Sequence, residues 1–155
     1  MFTRTQLGHI YQLQSHDDGK TWSDPSPTTL VHPDAPPMIF KLEGDKNLIA
    51  FIHNRPASHI HRNSDFNDRR ELWVSRSEDG GLSWSEPRFV IADATQKIEG
   101  GFNWVEVSYG HLIVDGGQLN FVFNHKKKFI LNIRFNKNDI PGFPTLTELK
   151  SLSAG

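Results

Sequence analysis

The sequence predicts an all-β fold built from repeated units of four antiparallel strands, and three observations carry that expectation. The segment Ser15 to Pro25 (SHDDGKTWSDP) reappears as Ser77 to Pro87 (SEDGGLSWSEP), and both copies fit S-x-D-x-G-x-[ST]-W. A second pair repeats in the same order, with Leu48 to Arg55 (LIAFIHNR) aligning on Leu119 to Lys126 (LNFVFNHK). Short runs of β-branched and aromatic residues alternate with Gly, Asn, Asp and Pro clusters, and no segment shows a sustained helical stripe.

Taken in order, strands are expected over Ile10 to Gln14 and Ser26 to Val31, on either side of the first box. Met38 to Leu42, Leu48 to His53, Leu72 to Arg76 and Arg88 to Ala92 follow, with the second box between the last two. The start of a further unit near Tyr109 to Leu112, the repeat at Leu119 and the run Phe129 to Phe135 complete the set. Each box sits where a tight turn must join two strands. Gly19 and Gly81 can take positive φ, and the carboxylates of Asp17 and Asp79 can accept the turn's backbone amides. Trp22 and Trp84 supply an apolar plug beside the turn, and Ser15, Thr21, Ser77 and Ser83 complete the hydroxyl positions of the pattern. The box is read as a folding device rather than as chemistry.

With strands lettered A to D in each unit, residues 1–31 supply C and D with a box, and 35–92 a full set with a box. Residues 104–135 supply A, B and C, and 136–155 form an irregular tail. Asn136 to Gly142 stands where a third box would fall but lacks its Gly-x-Thr-Trp. Four-stranded units repeated radially form propellers of about 4–8 blades. Some two and a half blades leave an incomplete ring, whose faces call for remaining blades or for self-association.

Composition narrows the function. The 155 residues carry 17 Lys+Arg against 18 Asp+Glu, a formal charge of −1, which excludes a chain-wide basic field for nucleic acid. Hydrophobic residues make up 36 % with mean hydropathy −0.51, and no apolar run is long enough to span a bilayer. There is no cysteine, hence no disulfide, thiolate nucleophile or Cys-ligated zinc. The opening Met-Phe-Thr-Arg-Thr-Gln-Leu-Gly-His lacks the apolar core of a secretory signal, so the protein stays inside or its true N-terminus lies elsewhere; the compartment stays open. No cofactor is expected, and no metal: His59 and His61 alternate and His53 is near in sequence, but no carboxylate pattern specifies a third ligand.

On the two boxes, Ser15 to Trp22 and Ser77 to Trp84, the chain resembles the sialidase (neuraminidase) superfamily of six-bladed β-propellers, the BNR or Asp-box repeat family, over about His9 to Phe135. The resemblance implies consecutive sialidase-like propeller blades, with the boxes at rim turns remote from the ligand. Relatives are commonly secreted or periplasmic. The opposite face would collect His53, Asn54 and Arg55, the loop Pro56 to Arg70, the segment Thr95 to Tyr109, and His125 with Lys126, Lys127 and Lys128. Cations and aromatics there suit an anionic carbohydrate, with a guanidinium fork on its carboxylate and Trp104 or Phe102 on its pyranose face.

Sialidases of the family bind the substrate carboxylate with three arginines, use a glutamate-activated tyrosine as nucleophile and an aspartate as acid/base. Arg55 looks like one of the arginines and Tyr109 resembles the nucleophile. The plain alternatives are a solvated strand-end arginine and a structural tyrosine in the position that Met38 occupies one unit earlier. Glu106, three residues before Tyr109, would point to the other face of a strand and is a poor activating base. The remaining members of the set have no match. The implied function is part of a retaining exo-glycoside hydrolase acting on sialic-acid-type glycans. Two alternatives stand beside it: a propeller polysaccharide lyase on uronic acids, with His53, His59 or Tyr109 moving protons, and a non-catalytic Asp-box module that binds glycan or assembles with other blades.

Overall fold

The computed structural model describes residues 1–55, 69–92, 107–125 and 129–152. They form three antiparallel sheets with no closed barrel. The first sheet joins β1 (Phe2–Thr3), β2 (His9–Gln12) and β3 (Ser26–Val31) in that order. The central sheet is a four-stranded meander of β4 (Met38–Lys41), β5 (Leu48–Ile52), β6 (Glu71–Ser77) and β7 (Arg88–Ala92). The third contains β8 (Val107–Asp115), β9 (Gln118–His125) and β10 (Phe129–Asn136). β1 is a difference from the sequence reading, which placed only two strands before Val31. Two residues suffice for it because Phe2 packs edge-on against Trp84, with ring centroids 5.9 Å apart, and so ties the first sheet to the second box.

The central sheet lies between the other two, and its residue pattern follows from that position. Ile49, Phe51, Leu72 and Val74 pack on Leu119, Phe121 and Phe123 of the third sheet. Ala50, Ile52 and Trp73 point the other way, onto Ile10 and Leu30 of the first. Both faces of β5 are therefore covered, and all five of its residues are buried. β9, with one face covered, shows the alternating burial of a half-buried strand. The stacked rings of Phe51 and Phe121, 3.9 Å apart, lie at the centre of the second interface, where such a pair contributes about 0.5–1.5 kcal/mol beyond its area.

Both boxes close by the same hydrogen bonds. Ser15 Oγ donates to Asp17 Oδ1 (2.8 Å) and accepts from Gly19 N (2.8 Å), while Thr21 N and Oγ1 donate to the two oxygens of Asp17 (2.8 and 2.6 Å). Ser77, Asp79, Gly81 and Ser83 repeat this at 2.8, 2.8, 2.9 and 2.5 Å. Trp22 Nε1 and Trp84 Nε1 donate to Gly19 O and Gly81 O (3.0 and 3.1 Å). Gly19 and Gly81 take φ of 83° and 95°, as a turn of this shape demands. Thr21 hydroxyl and amide bonds draw Asp17 down to about 2, and those of Ser83 hold Asp79 lower still.

The tail is more ordered than its sequence suggests. A 3-10 helix, Lys137–Gly142, takes the place of a third box, capped reciprocally by Asn136 and Asp139, and α1 (Leu146–Leu152) follows. Thr145 and Glu148 cap α1, with Glu148 N donating to Thr145 Oγ1 (3.3 Å) and Thr145 N to Glu148 Oε2 (2.6 Å). Between them the chain lies against the edge of β7, where Phe89 N donates to Pro144 O (2.8 Å) and Arg88 Nη1 to Phe143 O (2.8 Å). Among the described residues no helix is long and apolar enough to cross a membrane.

Candidate functional site

The registers fix which loops share an end of the molecule. Ile52 lies opposite Trp73, Met38 opposite Phe51, Thr3 opposite Tyr11, and Val107 opposite His125. The ends of β1, β3, β5 and β9 and the starts of β4, β6 and β8 therefore meet at one end, and the boxes lie at the other. Arg4, His32, Asp34, His53, Arg55, Arg69, Glu71 and Tyr109 all fall at the first end, although the chain as a whole is neutral.

Tyr109 departs from the strand geometry expected of it. The β8–β9 register shifts between Ser108 and His111, so Tyr109 sits in a bulge rather than in the regular position of Met38. Its φ is +55°, an uncommon conformation for a bulky residue, and 53 % of it is exposed. Gly110 makes the bulge possible: its amide approaches Met38 Sδ at 3.3 Å, and its Cα rests on the Phe121 ring, leaving no room for a Cβ. The guanidinium of the buried Arg69 lies 5.6 Å from the Tyr109 ring centroid.

Arg69 Nη2 donates to Asp34 O (3.0 Å), and its own carbonyl accepts from Val107 N (2.9 Å), which ties it to the start of β8. The Asp34 carboxylate is held by Arg4 Nε and, at 3.4 Å, by Gln6 Nε2. The Arg4 hydrogen bond keeps Asp34 below the usual carboxylate range, and Asp34 in turn raises Arg4. Asp34 is thus an ionised acceptor near neutral pH.

Arg55 follows Asn54, whose φ of +48° turns the chain off β5. Arg55 Nη2 pairs with Glu71 Oε1, and Trp73 Nε1 donates to Glu71 Oε2 (3.0 Å). His53 Nδ1 meets Glu71 O at 2.9 Å, and His53 N donates to His32 Nδ1 at 3.3 Å. The two imidazoles stack with centroids 5.0 Å apart, both buried. Burial, with His53 and Arg69 beside it, holds His32 well below the ordinary histidine range.

Arg55 and Tyr109, the two residues singled out from sequence, thus lie at the same end, Arg55 against Glu71 and Tyr109 against Arg69. Sequence reasoning missed Arg4, Asp34, Arg69 and Glu71. The available signal was positional, since Glu71 opens β6 and the other three lie within three residues of a strand terminus at this end. His59, His61, Phe102, Trp104, Glu106 and Lys126 to Lys128 lie outside the described residues. Among the described residues no three His, Asp or Glu side chains converge as metal ligands.

This end thus gathers three guanidinium groups, two of them paired with carboxylates, and an exposed phenol. No curated protein matches the chain. A family model does, the BNR repeat-like domain, over residues 1–147, a span that takes in both boxes and the whole of the end just described. The chain belongs to the BNR repeat-like domain family.

Proposed function

We propose that the three sheets are blades of a sialidase-like propeller and that this chain is part of a retaining exo-glycoside hydrolase for sialic-acid-type glycans. In this reading Tyr109 is the nucleophile and Arg55 binds the substrate carboxylate. The observation that carries the reading is Tyr109: a bulky residue held at positive φ, half exposed, with a buried arginine against its ring. Backbone outliers of this kind cluster at functional sites, where the surrounding structure holds them in place. The phenolic oxygen would attack the anomeric carbon as the aglycone leaves, and water would then release the sugar from the tyrosyl intermediate. Arg4 and Arg55, whose side chains are 46 % and 37 % exposed while paired with Asp34 and Glu71, would hold the substrate carboxylate.

Asp34, kept ionised by Arg4, is not poised to donate a proton to the leaving group. That observation favours a second reading, a non-catalytic module that binds acidic glycan at the same end. In the lyase reading the proton would be moved by Tyr109 or His59, because His53 is fully buried. The test is hydrolysis of a fluorogenic sialoside, together with binding of sialic acid followed by NMR, on the chain, on a form extended to a full ring, and on Arg55→Ala and Tyr109→Phe in each. Turnover by the extended form that Tyr109→Phe abolishes while binding persists supports the hydrolase. Binding without turnover in every form supports the module, and neither binding nor turnover refutes both.

A further inference from the structure

The third sheet stops one strand short of the central one. Where β6 is flanked by β7, its counterpart β10 is an edge, because after Asn136 the capped 3-10 helix carries the chain away and Phe143 to Thr145 settle on the edge of β7 instead. Among the described residues one edge is thereby covered and the other left open.

The first five residues of the open edge carry none of the usual protections, the nearest charges being Arg134 and Lys126 to Lys128 at its two ends. Its ladder to β9 runs unbroken from Phe129 to Asn136, so there is no bulge, and the stretch Phe129 to Ile133 contains neither proline nor charge. Phe129 is 58 % exposed, Ile130 82 % and Leu131 38 %. A row of unpaired backbone groups flanked by such side chains is a template for another strand. Within Phe129 to Ile133 there is no charge to repel the same stretch of a second copy.

We infer that β10 pairs antiparallel with β10 of a second copy of this chain, joining two third sheets into one. In a continuous sheet, opposed residues must point to the same face, so Phe129, Leu131 and Ile133 can face only one another's kind, and Ile130 only Asn132 or its own copy. The register that keeps five residue pairs within the uncharged stretch Phe129 to Ile133 is centred on Leu131. It sets Leu131 against its own copy, Phe129 against Ile133, and Ile130 against Asn132, so apolar meets apolar on one face. The pairing uses the strand edge and leaves both sheet faces available, so it is independent of the function proposed above.

The experiment is sedimentation of the cysteine-free chain from ~10 to ~500 μM, a range suited to a small interface. A monomer–dimer equilibrium is expected, and Ile130→Lys, at a site too exposed to affect folding, should raise its dissociation constant about tenfold or more. Because the chain has no cysteine, disulfides report only on introduced residues. Mixed Ile130→Cys and Asn132→Cys chains should cross-link to each other under mild oxidation, since opposed residues place their Cα atoms about 4.5–5.5 Å apart, within disulfide reach. Either variant alone should cross-link far less. A chain that stays monomeric throughout, a dimer insensitive to Ile130→Lys, or efficient self-cross-linking of Ile113→Cys on the sheet face would each overturn the pairing.

Discussion

Gly110→Ala places the bulge that presents Tyr109 under a direct test. A Cβ at residue 110 would lie within 2.6 Å of three atoms of the Phe121 ring, closer than any such contact tolerates. Gly110 is not among the glycines at positive φ, so the requirement is for space and not for backbone freedom. The ring cannot readily give way, being fully buried, stacked on Phe51 at 3.9 Å and contacting Phe123 at 5.6 Å. Overpacking of a tight core costs about 1–3 kcal/mol, and three simultaneous collisions place this site at the upper end, about 3 kcal/mol. For a domain of this size that lowers Tm by about 6–12 °C. Urea denaturation of the wild type, Gly110→Ala, Phe121→Leu and the double variant would measure it. The smaller leucine opens the space, so alanine should cost at least about 1 kcal/mol less in that background. A Gly110→Ala protein within about 0.5 kcal/mol of wild type, or strict additivity, would show that β8 is not pressed onto Phe121 as described.

Further outcomes follow from the same contacts. Asp17 and Asp79 are both depressed below 3.8 by their hydroxyl and amide donors, so their stabilising effect is present above about pH 4 and fades as pH falls toward 2. Asp79→Ala and Asp17→Ala should each lower Tm at pH 7 and flatten that acid limb without altering ligand binding, as thermal melts against pH would show. His32 stays neutral in the folded protein while the unfolded chain protonates near pH 6.5, so stability should fall on acidification below 6.5, by up to about 1.4 kcal/mol per pH unit. His32→Gln should reduce that slope, and an unchanged slope would remove His32 as its source. Arg88→Ala takes the donor from Phe143 O and a cation 3.7 Å from Glu148, costing about 1 kcal/mol and speeding proteolysis within the tail. A tail equally resistant in the variant would contradict its role as a clasp on β7.

What the sequence by itself determined is local. Strand positions follow from apolar runs that need only their own neighbours to be recognised, and each box closes by bonds between residues no more than four apart, so its chemistry is written in one short string. The caps of the tail were equally local, in Asn136 with Asp139 and Thr145 with Glu148, but they frame helices too short to leave an apolar stripe. The candidate site is another matter. Arg4 reaches Asp34 across 30 residues, Arg69 reaches the same residue across 35, and Gly110 meets Met38 across 72. Those meetings arise only when three sheets stack and turn the same ends together. Tyr109 makes the distinction plain: its sequence position reads as an ordinary strand residue beside Met38. The buried ring of Phe121 presses on Gly110 and a bulge absorbs the crowding, which turns the tyrosine out to solvent against Arg69. A periodicity argument sees which face a residue prefers, but not which distant side chain will occupy the space beneath it.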